Sequence, residues 1–187
     1  MLEKSKALVK SVVITGGEPT LQDIVPLCRR LKEEGYEIKL DTNGSSPETV
    51  GRLIEGKLVD FVALDIKGPL EPNAYSAVTG VDCTKHVSSI KKTLKILQDS
   101  GIGYECRSPI VPGLNADERS LKAQADSVRG AAVFVLEQFW PEKGTLEPRF
   151  RAVKGLDCEC MRAAASFFKN PVVKIRTRES GEEVVSR

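Results

Sequence analysis

Ser11-Val12-Val13-Ile14-Thr15-Gly16-Gly17-Glu18-Pro19 is the stretch on which the fold turns. Its β-branched run makes a strand, because branched side chains pack well on a pleated surface. Gly16 and Gly17 stop it, since glycine reaches backbone conformations closed to other residues. Ile24, Leu27, Cys28 and Leu31 then recur at helical spacing up to Gly35, with Asp23 as the expected cap and Pro26 tolerated in the first turn. A strand followed by a helix is the unit, and the chain repeats it about five times, the rhythm of a parallel α/β fold.

The second unit has a strand from Tyr36 to Leu40, the turn Asp41-Thr42-Asn43-Gly44, and a short helix opened by Ser46-Pro47 and closed by Gly56. Leu58 to Ile66 is almost continuously apolar apart from Asp60, as suits a strand covered on both faces. A long loop is expected from Lys67 to about Asp82. Val87, Ile90, Leu94 and Leu97 then mark one face of a helix ending at Gly101, with Lys85, Lys91, Lys92 and Lys95 as its solvated face.

Tyr104 to Val111 is the fourth strand, interrupted by Pro109. Asn115 and Glu118 form a capping-box-like start to a helix that stops near Gly130. Ala131 to Phe139 is the fifth strand. After an irregular stretch come a helix begun by Asp157, with Met161, Ala164 and Phe168 inward, and a short run from Val172 to Thr177. The last ten residues are expected to fray.

Composition narrows the function. The 187 residues carry 28 Lys and Arg against 26 Asp and Glu, with 41% apolar and 5% aromatic residues, which fits one soluble domain spanning 1–187. Its motif-bearing core is 11–141, and 156–178 hold a C-terminal helix and strand. A net charge of +2 gives no reason to expect a nucleic acid or a membrane as partner. No apolar run reaches the roughly 20 residues that span a bilayer, and residues 1–4 open no signal peptide, so the cytoplasm is the expected location. Five cysteines at irregular spacing read as reduced and mostly buried thiols. Cys158-x-Cys160 lacks the second pair that a zinc or iron–sulfur site requires.

In parallel α/β folds ligands bind where loops leave the C-terminal ends of the strands. Here those ends carry Gly16-Gly17-Glu18-Pro19, Asp41-Thr42-Asn43-Gly44, Asp65-x-Lys67, Arg107 through Gly113, and Glu137-Gln138-Phe139-Trp140-Pro141. Gly16 and Gly17 let backbone amides approach a ligand, and Glu18 sets a carboxylate beside them, a pairing suited to an ammonium group. The bland alternative is a plain strand-to-helix turn. Asp41 and Asp65 end neighbouring strands and need a cation or a proton to offset their repulsion, unless Asp41 merely caps its turn. The single histidine, His86, lies at a Lys-rich helix start and offers no catalytic base. Neither a P-loop nor a Rossmann fingerprint is present.

Val13 to Gln22, Leu40-Asp41-Thr42-Asn43-Gly44 and Val62-Ala63-Leu64-Asp65-Ile66-Lys67 together resemble the radical S-adenosylmethionine enzymes, and most closely the glycyl-radical activating enzymes. Within these the motifs are most similar to activating proteins of anaerobic ribonucleoside-triphosphate reductase, with pyruvate formate-lyase activating enzyme as close kin. The resemblance implies a partial (β/α)6 TIM-like barrel lacking its first β/α unit. It implies that Gly16, Gly17 and Glu18 contact the methionyl amino end of S-adenosylmethionine. It also implies that Asp41, Thr42 and Asp65 match positions holding a monovalent cation, that Lys67 and Arg107 line the same pocket, and that Gln138 borders the adenosine.

In that family an electron from a 4Fe-4S cluster cleaves S-adenosylmethionine, and the 5′-deoxyadenosyl radical takes a hydrogen atom from a glycine of the partner enzyme. The implied partners are therefore a glycyl-radical enzyme and an electron donor. The cluster needs a C-x3-C-x2-C loop, and this sequence has none. The expectation is a truncated chain missing a β/α unit, on the order of 30 residues or more, with an exposed edge along its first strand. Two alternatives stay open: a radical enzyme acting on a small molecule, of the 7-carboxy-7-deazaguanine synthase kind, and a non-catalytic remnant that binds S-adenosylmethionine or a partner.

Overall fold

A computed structural model describes residues 9–145 and 147–186; residues 1–4, read above as opening no signal peptide, lie outside the described residues. In chain order the elements are β1 (Ser11–Ile14), α1 (Val25–Glu33), β2 (Glu37–Thr42), α2 (Pro47–Glu55), β3 (Phe61–Asp65), α3 (Pro72–Thr79), α4 (Thr84–Ser100), β4 (Gly103–Ile110), α5 (Glu118–Ser127), β5 (Val133–Gln138), α6 (Cys158–Ala165), β6 (Val172–Thr177) and β7 (Gly181–Ser186). This is the expected α/β alternation. No helix among the described residues is long and apolar enough to cross a membrane. The chain divides into two compact units, one of residues 9–65 with Ser88–Tyr104, the other of Ile66–Val87 with 105–186.

In the first unit β1 pairs with β2 and β2 with β3, both parallel. Val62, Ala63 and Leu64 are wholly buried, as their continuous apolar run requires. Asp60, the one charge in that run, lies just ahead of β3. Its carboxylate accepts from Ile38 N at 2.6 Å and Lys32 Nζ at 2.7 Å, tying the strand's start to β2 and α1. Val87, Ile90, Leu94 and Leu97 are buried on α4 while Lys91, Lys92 and Lys95 are exposed, as the pattern required.

Two expected caps in this unit are not made. Asp23 does not cap α1: the chain enters through a tight turn in which Ile24 N–H donates to Gln22 O, and Ile24 itself, buried, takes the cap position. Ser46 makes no side-chain cap to α2, whose start is fixed by Pro47 instead. β2 also continues two residues past Leu40, to Thr42, so Asp41 belongs to the strand rather than the turn.

Gly44 explains how the β2 turn packs. Its φ is +75°, and a Cβ there would stand 2.7 Å from Leu64 Cδ1 and 3.5 Å from Ile90 Cα. The close approach also lets Thr93 Oγ1 donate to Gly44 O at 2.9 Å.

In the second unit β4–β5 and β5–β6 are parallel and β6–β7 antiparallel. Three expectations are corrected here. The segment expected to be a loop from Lys67 to Asp82 contains α3, begun by Pro72 and closed by Gly80 at φ +75°. The helix escaped notice because it has little apolar periodicity, Tyr75 being its buried residue. Helix α5 is capped by Asp117, which accepts from Ser120 N at 3.0 Å, and not by Asn115, which is buried two residues earlier.

The last residues do not fray: β7 pairs along β6 from Gly181 to Ser186. Ion pairs add to the backbone ladder that holds it. Glu182 accepts from Lys174 Nζ and Arg176 Nη2, each at 2.7 Å, and Glu183 accepts from Arg162 Nη2 at 2.8 Å. Cross-strand pairs of opposite charge stabilise an antiparallel ladder. As expected, Asp157 caps α6, and Met161, Ala164 and Phe168 are buried, with Phe168 stacked on Phe134 at 4.6 Å.

Gly44→Ala combines a left-handed residue with overlap against Leu64, and should cost about 2–4 kcal/mol, read as a lowered urea midpoint. Acidification has a defined sign at Glu182, whose pKa lies below its ordinary 4.5 because Lys174 and Arg176 donate hydrogen bonds to it. Its contribution is present above the unfolded pKa and is lost as pH falls through the lower folded value. The denaturation midpoint should therefore fall from roughly pH 5 downward, and less steeply in Glu182→Gln.

Candidate functional site

The loop after β1 is open above its backbone. Gly16 and Gly17 have φ of +96° and +59°, and a Cβ built on either meets nothing within 4 Å. That is a cradle in which a ligand can reach main-chain amides without displacing a side chain. The methionyl end of S-adenosylmethionine, with its ammonium and carboxylate, fits this open polar surface.

Glu18 is placed differently from the sequence reading. Its Oε1 accepts from Thr20 N (3.1 Å), Thr20 Oγ1 (2.6 Å) and Thr42 Oγ1 (2.8 Å), and its Oε2 accepts from Asn43 N (2.6 Å). A carboxylate offers about four lone-pair sites, so most of its capacity is engaged within the chain. Glu18 is a clasp between the loops leaving β1 and β2, with acceptor room remaining on Oε2. Sequence reasoning missed Thr20 and Asn43 as its partners; the threonine two residues after the glutamate was the available signal.

Thr42, buried at the end of β2, donates to Glu18 and accepts from Gly44 N at 3.0 Å, so its hydroxyl hydrogen is committed to the clasp. Asp41 stands half-buried with Lys39 Nζ 3.9 Å away, a neighbouring positive charge the sequence reading did not include, and Asp65 ends β3 half-buried. Among the described residues no three His, Cys, Asp or Glu side chains gather as a metal site.

In the second unit Lys67 and Arg107 are both half-buried. The Arg107 carbonyl accepts from Ile66 N at 2.8 Å, while Lys67 N–H donates to Tyr75 Oη at 3.2 Å. Gln138, at the end of β5, donates to Leu156 O at 2.7 Å and accepts from Trp140 Nε1 and Arg178 N, each at 2.9 Å. Its amide thus closes the segments around 156 and 178 over the strand end. Beside it lies an open cavity of about 190 Å³ lined by Pro109, Glu137, Gln138, Phe139, Trp140 and Arg176. Arg176, which the sequence reading missed, joins Glu137 and Glu182 and lies 3.9 Å from buried Glu105.

The described cysteines do not fit a 4Fe-4S cluster. Cys28 on α1, Cys83 just ahead of α4 and Cys106 on β4 are buried apart in the chain, and none of the five is bonded to another. Burial, with the charge of Glu105 adding to it, pushes the Cys106 thiol up to about 12, far from the thiolate a cluster ligand must be. Cys160 is also raised, chiefly by its hydrogen bond with Asp157.

Glu18→Ala would remove charge-assisted bonds to four donors. The expected loss is about 2–4 kcal/mol, accompanied by faster hydrogen exchange at Asn43 N–H. A Glu18→Ala chain with unchanged stability would show that the clasp contributes nothing.

The chain matches the model of the Radical SAM superfamily over residues 1–122. A protein of Methanocaldococcus jannaschii, provisionally named a glycyl-radical enzyme activating enzyme, is 33% identical over 134 residues, which are 71% of this chain and 55% of that protein. The chain therefore spans about half the length of this relative. The 7-carboxy-7-deazaguanine synthase of Synechocystis sp. is 53% identical over 38 residues, 20% of this chain and 18% of that protein. The crystal structure of a domain of pyruvate-formate lyase-activating enzyme from Bacteroides vulgatus superposes with a TM-score of 0.61 at 18% identity, covering 89% of this chain and 98% of that one, a likeness of fold. Matched by the family model over more than half its length, and folded as that family's α/β partial barrel, the chain belongs to the radical SAM superfamily.

Proposed function

We propose that this chain is the S-adenosylmethionine-holding part of a glycyl-radical enzyme activating enzyme. The observation that carries the reading is the 33% identity to the Methanocaldococcus jannaschii relative across 71% of the chain. The open Gly16-Gly17 turn at the end of β1 supports it.

In the first unit the amides of Gly16 and Gly17 would hold the methionyl end of the cofactor. Glu18 keeps their loop in place and offers its remaining Oε2 acceptor capacity to the ammonium. Asp41 and Asp65 add negative charge at the neighbouring strand ends, suited to a monovalent cation. In the second unit Lys67 and Arg107 carry positive charge suited to a carboxylate, and the Gln138 region is a surface suited to a nucleoside. When bound and reduced, S-adenosylmethionine supplies the hydrogen-abstracting 5′-deoxyadenosyl group. The described cysteines are not placed to hold an iron–sulfur cluster. The partner would be a glycyl-radical enzyme such as an anaerobic ribonucleoside-triphosphate reductase, with a separate electron donor, in the cytoplasm.

A second reading, action on a small molecule, is favoured by one observation: the 38-residue stretch at 53% identity to a 7-carboxy-7-deazaguanine synthase. One experiment separates the two. The protein is purified anaerobically from its source cells and mixed with reductant, S-adenosylmethionine and the reductase of the same cells, and electron paramagnetic resonance is recorded. A glycyl-radical doublet on the reductase is the expected result. Release of 5′-deoxyadenosine coupled to turnover of a free metabolite, with no radical on the reductase, would overturn it in favour of the second reading.

A further inference from the structure

The segment leaving β3, Ile66 to Leu70, is held by side chains at four of its polar backbone groups, the carbonyls of Ile66 and Lys67 and the amides of Lys67 and Leu70. Asn115 Nδ2 donates to Lys67 O at 2.8 Å, and Tyr75 Oη accepts from Lys67 N at 3.2 Å. Gln124 Nε2 donates to Ile66 O at 3.0 Å, and Ser127 Oγ accepts from Leu70 N at 2.9 Å. Gly68 presses on Val78, where an added Cβ would lie 3.0 Å from Cγ2.

Asn115 is the centre of this brace. It is fully buried, and the same amide nitrogen that holds Lys67 O also donates to Pro109 O at 2.9 Å, while Oδ1 accepts from Val111 N at 2.7 Å. One side chain thus joins the loop after β3 to the end of β4, with both donors and its acceptor used. Gln124, also fully buried, adds a second link by donating to Ser108 Oγ at 2.8 Å, and its own Oε1 is buried without a hydrogen-bond partner. A buried amide with an orphan acceptor is a costly way to fill space. The arrangement makes sense where the position of the backbone it grips matters more than the packing.

We propose that Asn115 is a positioning residue for Lys67: with Gln124 it fixes the backbone on both sides of the Lys67 Cα, so that the ammonium meets an anionic ligand group from a prearranged base. This rests on the proposed function, in which that group is the carboxylate of S-adenosylmethionine. Fixing the backbone removes the loop's ordering cost from binding and leaves the lysine rotamers alone to be selected.

The test titrates S-adenosylmethionine into the full chain by calorimetry at low and moderate salt, with hydrogen exchange followed at Lys67 and Leu70. Asn115→Ala and Gln124→Met are compared with Lys67→Met, and the second variant serves if the first does not fold. The expected result is several-fold weaker binding with a flattened salt dependence, faster exchange at both amides, and no further loss when Lys67→Met is added. Variants that exchange faster yet bind as tightly as the wild type, or whose losses add to that of Lys67→Met, overturn the positioning role while leaving the proposed function standing. A folded wild type that binds no S-adenosylmethionine overturns the proposed function itself, and the positioning role that rests on it.

Discussion

Peptide groups in the loops that leave buried parallel strands have lost water without gaining ladder partners, and each must be satisfied by something else. In this chain side chains answer that constraint. Glu18 and Thr42 hold the turns after β1 and β2, Asn115 and Gln124 hold the segment after β3, and Gln138 closes the end of β5. The strands place the loops near their working positions, and these polar side chains decide their conformations.

The same constraint sets where ligand chemistry is available. Gly16 and Gly17 have open space around them, and Glu18 beside them ties their loop to the turn after β2. Glu18 belongs to the binding loop, yet its carboxylate is largely engaged by Thr20, Thr42 and Asn43, so its weight in the site is architectural as well as chemical. Gln138 is similar: it stands at the end of β5, and its amide is engaged by Leu156, Trp140 and Arg178.

With little apolar surface to bury, β7 rests on its backbone ladder with β6 and on ion pairs beside it. The strand is mostly exposed, and Val184 is its one large apolar side chain left prominent. It is kept in place by Glu182 between Lys174 and Arg176 and by Glu183 on Arg162. This is why a tail that looked polar and frayed is a strand.

The order of elements apart from α3 and β7, the strands β1 to β6, the buried faces of α4 and α6, and the strand-end residues that make up the candidate site were legible from residue type and period alone. Those features follow from local rules: β-branched runs, apolar spacing of three and four, and glycine where the chain must turn. Helix α3 was not legible, because one buried tyrosine gives no period, and neither were the caps of α1 and α5, because Asp23 and Asn115 have the right chemistry one or two residues from where the chain begins those helices. What tertiary structure alone decided was partnership. Asn115 reads as a cap in sequence and is a brace 48 residues away from the start of its own helix signal, at Lys67; Glu18 reads as a ligand and is also a clasp reaching Thr42 and Asn43. Hydrogen bonds between residues far apart in sequence depend on how strands align in register, and a local pattern carries no record of that alignment.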